Sequence, residues 1–377
     1  MLRKTVLACS LMAMAALATA AGNQWNPAPP IDNPDPAKVE ALKAKLKNYP
    51  YKIVYQTCRD KNFELFVMNA DGSDPKNLTN TADRNEYYPQ CSFDGKLIAY
   101  EADSPKGADG KTHSQIWLMN ADGSNQHMIA DNAQQPAWSH DNKTIVYMRE
   151  EGGKMVAMML YDVAGNVARP HPNKSITWAM NLSFTGDDKW ITAVVAGHFV
   201  GTDPSGKPVT FNVGQSILAF ETNGQGIIDL IHQSRDLPTD PTSGQNIMGC
   251  RPDVSTDGKK ITWAVEEKFV RMWIATADLT TENGVPRADN WTWIVTAPMN
   301  KKPSWELYHP DWSPDDKFIA FAKGVRGSLM ATARFMPRAA APTWNIAICD
   351  PTEQGPYVEI TTDGQSNKEP DWLPIAK

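Results

Sequence analysis

Cysteine is scarce in this chain: 5 in 377 residues. No two are spaced C-x-x-C, which excludes a zinc ribbon, a thioredoxin-type redox pair and C-x-x-C-H haem attachment. Basic charge is not in excess either. Lys and Arg number 37 against 43 Asp and Glu, a formal charge of −6, so the composition gives no basic surface for nucleic acid. Walker and Rossmann glycine patterns are missing, as is a G-x-S-x-G nucleophile elbow. Beyond the N-terminus no apolar run reaches the roughly 18 residues of a membrane helix. No cofactor and no metal site is expected from motif alone.

The first 20 residues read as a targeting segment. MLRK is a basic start, TVLACSLMAMAALA an apolar core, and Ala18-Thr19-Ala20 a small-residue cleavage site. Cleavage there predicts a periplasmic or secreted protein with no membrane span left. Residues 21–50 form a proline-rich lead and one short helix, with Asp35 as its cap, Pro36 at its first position, and Val39, Leu42 and Leu46 along one face. An oxidising compartment permits disulfides. Of the remaining cysteines (Cys58, Cys91, Cys250 and Cys349), the first two fall on successive repeats, so a Cys58–Cys91 bridge and free thiols both stand as readings.

What the chain has in quantity is repetition over residues 51–377. VMNADGSDPKNLTN at Val67–Asn80 recurs as LMNADGSNQHMIAD at Leu118–Asp131. In each copy a strand-like run leads into Asn-Ala-Asp-Gly, where Asp caps its own backbone and Gly supplies positive φ. A second unit reads YPQCSFDGKLIAYEAD at Tyr88, QPAWSHDNKTIVYMRE at Gln135, RPDVSTDGKKITWAVE at Arg251 and HPDWSPDDKFIAFAKG at His309. A looser copy, NLSFTGDDKWITAVVA, starts at Asn181, and a truncated one, EPDWLPIAK, ends the chain from Glu369. Each begins an inner strand, turns at an Asp tetrapeptide and continues into a second apolar strand. Repeats of this period imply a stacked or circular array. Six inner strands predict an all-β fold, a six-bladed propeller of four-stranded blades. Its first blade (Tyr51–Thr57, Phe63–Met68, Lys76–Thr79) lacks an inner strand, and the C-terminal EPDWLP supplies it, which removes an open sheet edge.

The motif P-D-W-S-P-D-(D/G)-K-x-I-A-F, carried by Pro310–Phe321, Pro89–Tyr100, Pro136–Tyr147 and Pro252–Trp263, together with the two Asn-Ala-Asp-Gly-Ser turns, resembles the PD40 or WD40-like repeat of TolB-type six-bladed propellers. The resemblance spans roughly residues 51–375 and implies fold more than function, since one propeller scaffold hosts many activities. Only about 30 residues precede the repeats after cleavage, too few for the α/β domain of TolB itself. The fourth blade departs from the pattern with a long excursion from Gly197 to Val213.

Residues just before each repeat proline are expected to point at the mouth of the central channel: Tyr88, Gln135, Arg251, His309 and Glu369, with Met180 in the degenerate blade. Tyr87, Gln134 and Tyr308 lie one step outward. The exits of the second strands add Arg59, Asp60, Glu101, Arg149, Glu150, His198, Glu266, Glu267 and Lys323. The ligand-binding set read from this is Tyr87, Tyr88, Gln135, Arg251, Tyr308, His309 and Glu369; a solvated rim is the alternative. Two long loops, Ile231–Cys250 and Lys323–Thr343, flank the mouth, the second being basic. The expected function is an exported, monomeric binding or scaffold module that grips an envelope protein or a glycan. The competing expectation is a lyase on acidic sugars, with His309, Arg251 and Tyr88 as catalytic candidates: Arg would neutralise a uronate while Tyr or His moves the proton. Oligogalacturonate lyase is similar in architecture, and that resemblance implies a metal held by several histidines and a glutamine. Here Gln135 and His309 stand at the mouth without an H-x-H pair.

Overall fold

The structure is a computed structural model describing residues 35–59, 62–108, 110–231, 247–267, 271–295, 305–325 and 344–375. The targeting segment and most of both long loops lie outside the described residues. The helix α1 (Pro36–Leu46) starts where Asp35 accepts a hydrogen bond from the Ala37 amide at 2.9 Å. Among the described residues no helix is long and apolar enough to cross a membrane.

Among the described residues, twenty-four strands form six four-stranded antiparallel sheets. Blade 1 contains β1 (Tyr51–Cys58), β2 (Phe63–Asn69) and β3 (Lys76–Asn77). Blade 2 is β4 (Glu86–Cys91) to β7 (His127–Asp131), with β5 (Leu97–Asp103) and β6 (Ser114–Asn120) between. Blade 3 runs from β8 (Ala133–Trp138) through β9 (Thr144–Glu151) and β10 (Lys154–Asp162) to β11 (Val167–Pro170). Blade 4 is β12 (Met180–Phe184), β13 (Trp190–Thr202), β14 (Pro208–Glu221) and β15 (Ile227–Ile231). Blade 5 is β16 (Ile247–Val254) to β19 (Val285–Val295), with β17 (Lys260–Glu267) and β18 (Arg271–Glu282). Blade 6 is β20 (Trp305–Trp312), β21 (Ile319–Val325), β22 (Asn345–Cys349) and β23 (Tyr357–Glu359). The C-terminal β24 (Ser366–Pro374) pairs with β1, from Tyr51↔Pro374 to Cys58↔Ser366, and completes the first blade. The propeller is thus closed as the repeats predict.

Core residues lie between neighbouring blades, where the apolar faces of facing sheets meet. One cluster joins Trp190 and Leu230 of blade 4 to Trp263 and Trp293 of blade 5 and Phe321 of blade 6. Leu42 and Leu46 of α1 pack with Phe318, Ile346 and Trp372 over the seam between blades 6 and 1. Tyr49 extends that clasp: its hydroxyl donates to Asp315 and its ring meets Trp372 edge-on at 5.6 Å.

The Asp tetrapeptides form a second ring at one end of the propeller. The Ser or Thr that opens each turn is capped by the following Asp, as in Ser139 Oγ to Asp141 at 2.7 Å. The left-handed residue at the fourth position then reaches the turn of the preceding blade. Asp188 accepts the amides of His140 and Asp141 at 2.7 and 3.0 Å, and Asp316 those of Thr256 and Asp257 at 2.7 and 3.0 Å. Asn142 accepts the Asp94 amide at 3.1 Å. Between blades 4 and 5 the same place is taken by two glycines so close that a Cβ on Gly186 would lie 2.5 Å from the Gly258 Cα. This is why the motif tolerates Asp, Asn or Gly there and little else.

Two points that the sequence leaves open are decided. The excursion of blade 4 is no loop: β13 and β14 continue as one hairpin, from Gly197↔Val213 to Thr202↔Pro208, after a bulge at Val195. It folds back over its own blade, where Phe199 is buried beside Phe220, the Thr202 amide donates to the Gln225 carbonyl at 2.9 Å, and Asn173 and Ser175 bond the Val200 backbone. Further, among the described residues Cys91 and Cys349 are free thiols. Cys58 closes β1 opposite Phe63, whereas Cys91 ends β4 opposite Ile98 at the other end of the blade. Adjacent repeats therefore do not bring these thiols together.

Candidate functional site

The prolines of the repeat are not at strand starts but inside the inner strands, which begin two or more residues earlier. Proline has no N–H to give the ladder, and an interior proline therefore requires a bulge. Every inner strand has one: the pairing skips from Tyr87 to Gln90, Gln134 to Ala137, Met180 to Ser183, Cys250 to Asp253, Tyr308 to Asp311, and from Asp371 to Lys368. One of the two skipped residues is left-handed each time: Tyr88, Gln135, Asn181, Arg251, His309 and Glu369, with φ between 51° and 63°. Such backbone costs about 1–2 kcal/mol for each non-glycine residue and persists only where the surroundings enforce it. In blade 4 the position belongs to Asn181, not to Met180 as the sequence suggests. Leu182 replaces the proline there, and Met180 stays in the ladder opposite Val194.

The bulge turns all six side chains inward, where they meet across the ring. Asn181 Nδ2 donates to the Tyr88 hydroxyl, and the Tyr88 ring lies edge-on to His309 at 5.0 Å. His309 Nε2 is 3.0 Å from Glu369 Oε2, which also accepts from Arg251 Nη1 at 3.3 Å. Arg251 stacks on the Tyr308 ring at 3.3 Å and bonds its hydroxyl. The strained amides are capped in relay around the ring. Gln56 accepts from Tyr88 N at 3.1 Å, Glu101 from Gln135 N at 2.7 Å, and the Gln135 side chain from Asn181 N at 2.7 Å. Exposure of the six ranges from 1% at Glu369 to 7% at His309, so they form a buried plug rather than a solvated rim.

Burial dominates the chemistry of this plug. It drives the Tyr88 hydroxyl far above its ordinary range and lowers His309 to about 4, so His309 is neutral at pH 7. The cavity beside His309, lined by Tyr88, Asn181, Arg251 and Asp253 among others, measures about 20 Å³, the room of a single water. Two buried polar atoms of the plug, His309 Nδ1 and Glu369 Oε1, have no hydrogen-bond partner among the described residues. Among the described residues no three His, Cys, Asp or Glu side chains stand close enough together to hold a metal ion.

The outer positions divide. Tyr87 is buried against Phe63, and Gln134 donates to Glu150. Lys323 is buried, 2.6 Å from Glu359 and over the Trp305 ring at 3.6 Å. Arg59 bonds Asp363 at 2.7 Å, Arg149 pairs with Glu151 at 3.0 Å, and His198 faces Asn212 at 2.7 Å on the blade 4 hairpin. Glu266 and Glu267 lie on β17. Asp60 is outside the described residues. Sequence reasoning missed Asn181, Gln56 and the tier of residues two beyond the ring, Gln90, Ala137, Ser183, Asp253, Asp311 and Asp371. In the five blades with a proline, the signal for that tier was the constant offset from it within the chain's own repeats.

No protein-family model matches the sequence. One curated protein, dipeptidyl-peptidase 5 of Porphyromonas gingivalis, is 37% identical over 67 residues, 17% of this chain; the match spans only 10% of that protein. Among solved structures, TolB from Acinetobacter baumannii superposes with a TM-score of 0.58 at 15% identity, over 89% of this chain and 70% of that one. A putative TolB from Agrobacterium tumefaciens gives 0.51 at 13% identity, over 86% of this chain and 99% of that one. At such identities the likeness speaks of fold alone. With six four-stranded blades, the first closed by β24, and these superpositions, the chain is a six-bladed β-propeller of TolB-like fold.

Proposed function

We propose that this chain is an exported binding module that holds a protein or glycan partner on the end of the propeller nearest the left-handed ring. One observation carries this reading. The ring residues differ from blade to blade and are locked to one another by ion pairs and hydrogen bonds, leaving a cavity of about 20 Å³ at His309. A plug of that kind makes a rigid platform for the strand exits around it, where Arg149 and Lys154 are exposed, and exposed connections on a rigid scaffold are where binding is carried. The same geometry speaks against a lyase working through His309, Arg251 and Tyr88. The three do gather, but among the described residues the cavity beside His309 measures about 20 Å³, too small for a sugar ring, and Arg251 is committed to Glu369 and Tyr308.

The test uses exposed residues so that the fold is left intact. Arg149→Glu with Lys154→Glu changes the ring end, at the β9–β10 hairpin, and Lys143→Glu with Lys259→Glu changes the Asp-turn end by like-sized charge reversals. Wild type and both variants serve as bait for cross-linking in an envelope extract, and purified acidic glycans are tested alongside. A partner kept by the turn-end variant and lost by the ring-end variant is the expected result. Equal retention by both, or no partner of either kind, would remove this reading. Turnover of an acidic polysaccharide abolished by His309→Ala would replace it with the lyase.

A further inference from the structure

Three carboxylates on successive inner strands occupy the tier beyond the ring. Asp253 Oδ2 accepts from the Trp312 amide at 2.8 Å, Asp311 Oδ1 from the Trp372 amide at 3.1 Å, and Asp371 Oδ1 from the Cys91 amide at 2.9 Å. Each bond crosses one seam, so together they span the seams 5–6, 6–1 and 1–2, which include both sides of the closing strand β24. All three line one cavity of about 50 Å³, with Gln90, Cys91, Ser183, Trp312 and Trp372.

The groups around the triad do little to neutralise it. Ser183 Oγ donates to Asp253 at 3.1 Å from blade 4, and the Cys91 thiol faces Asp371 from blade 2. His140, on the turn of blade 3, is near Asp253 but is bonded to Asp188. Arg251 and His309 lie across the smaller cavity that Asp253 and Asp311 also line, and both are turned to Glu369. Among the described residues none of the three aspartates is in an ion pair. We propose that this triad is a proton-sensitive latch on ring closure: with protons shared among its carboxyls it draws blades 5, 6, 1 and 2 together, and fully charged it forces them apart.

Burial supports the direction at all three carboxyls, with repulsion from neighbouring aspartates added at Asp311 and Asp371. Asp253 is raised to about 6, Asp371 to about 8, and Asp311 well above the ordinary carboxyl range. The folded chain therefore binds protons that the unfolded chain has released. The contribution to stability is fully present below about pH 4 and is lost progressively as pH rises, until the folded carboxyls have titrated. Surface carboxylates with lowered values, such as Asp94 and Asp141 with their lysines, have the opposite dependence, so a variant difference is needed to isolate the triad.

Thermal midpoints of wild type and of Asp311→Asn/Asp371→Asn should be compared between about pH 5.5 and about pH 8.5. Asn keeps a carbonyl for each seam amide. The wild-type midpoint should fall by about 3 °C or more across this range relative to the variant. Identical pH dependence of the two proteins would overturn the latch. Should the variant fail to fold, wild-type amide exchange decides. Protection at Trp312, Trp372 and Cys91, corrected for the intrinsic rate, should drop at least about threefold at the higher pH while the ring amides of Gln135 and Asn181, which bridge blades 2–3 and 3–4, hold theirs. Unchanged protection at the three seam amides would refute the proposal.

Discussion

Replacing Arg251 with Met tests whether the ring is the sealed plug described above. Glu369 is 1% exposed, and one of its oxygens is shared by Arg251 at 3.3 Å and His309 at 3.0 Å. Removing the guanidinium leaves a buried carboxylate beside a histidine that is neutral at pH 7, and the loss of one partner from a buried pair costs about 3–5 kcal/mol. The Tyr308 contact at 3.3 Å is lost as well, a cation–π interaction of about 2 kcal/mol when desolvated. Removing both charges, with Arg251→Met/Glu369→Gln, should recover at least about 2 kcal/mol of the single loss, because no unpaired charge remains. The assay is urea unfolding followed by tryptophan emission, with an unchanged slope as the check that the denatured state is the same. In the single variant His309 should also titrate higher, since the Arg251 charge is one of the influences lowering it. A single-variant loss below about 1 kcal/mol would show that Glu369 is solvated or otherwise paired, and the ring would not be a buried plug.

Three further outcomes follow from particular contacts. Asp316→Ala removes the acceptor of two amides in the neighbouring turn and should cost about 1–3 kcal/mol in urea unfolding, whereas Asp316→Asn, which keeps one acceptor and suits the left-handed backbone, should cost less than half of that. Gly258→Ala meets both a φ of 70° and the Gly186 Cα at 2.9 Å, so its unfolding midpoint should fall further than that of Gly284→Ala, where nothing lies within 4 Å. Deleting Ser366–Lys377 removes the partner of β1 and exposes its edge, which should appear as oligomers or aggregates in size-exclusion chromatography; a stable monomer would contradict closure by β24.

The inner-strand prolines show where sequence reading reached the site and where it stopped. Their repetition was enough to locate five of the six ring positions. It could not show that the prolines sit in bulges, because a bulge is defined by the partner strand: Tyr87 and Gln90 are spaced normally in sequence, and only Glu101 and Ala99 opposite them reveal the skip. Nor could it assign Asn181, since the blade without a proline carries no local mark. The direction of burial was equally hidden. His309 and Glu369 look like rim residues in a linear reading and become a buried pair only when blades 6 and 1 close on one another.

By itself the sequence determined the six blades, the Asp turns, the helix cap at Asp35 and closure by the C-terminal strand. Each depends on local chemistry repeated in register: a proline without an N–H, an aspartate bonding its own turn, an alternation of apolar residues. Tertiary structure alone decided the relay of amides around the ring, the latches between successive turns, the fold-back of the blade 4 hairpin and the grouping of Asp253, Asp311 and Asp371. These contacts join residues tens to hundreds of positions apart, and their strength comes from burial, which a chain acquires only when the ring is shut.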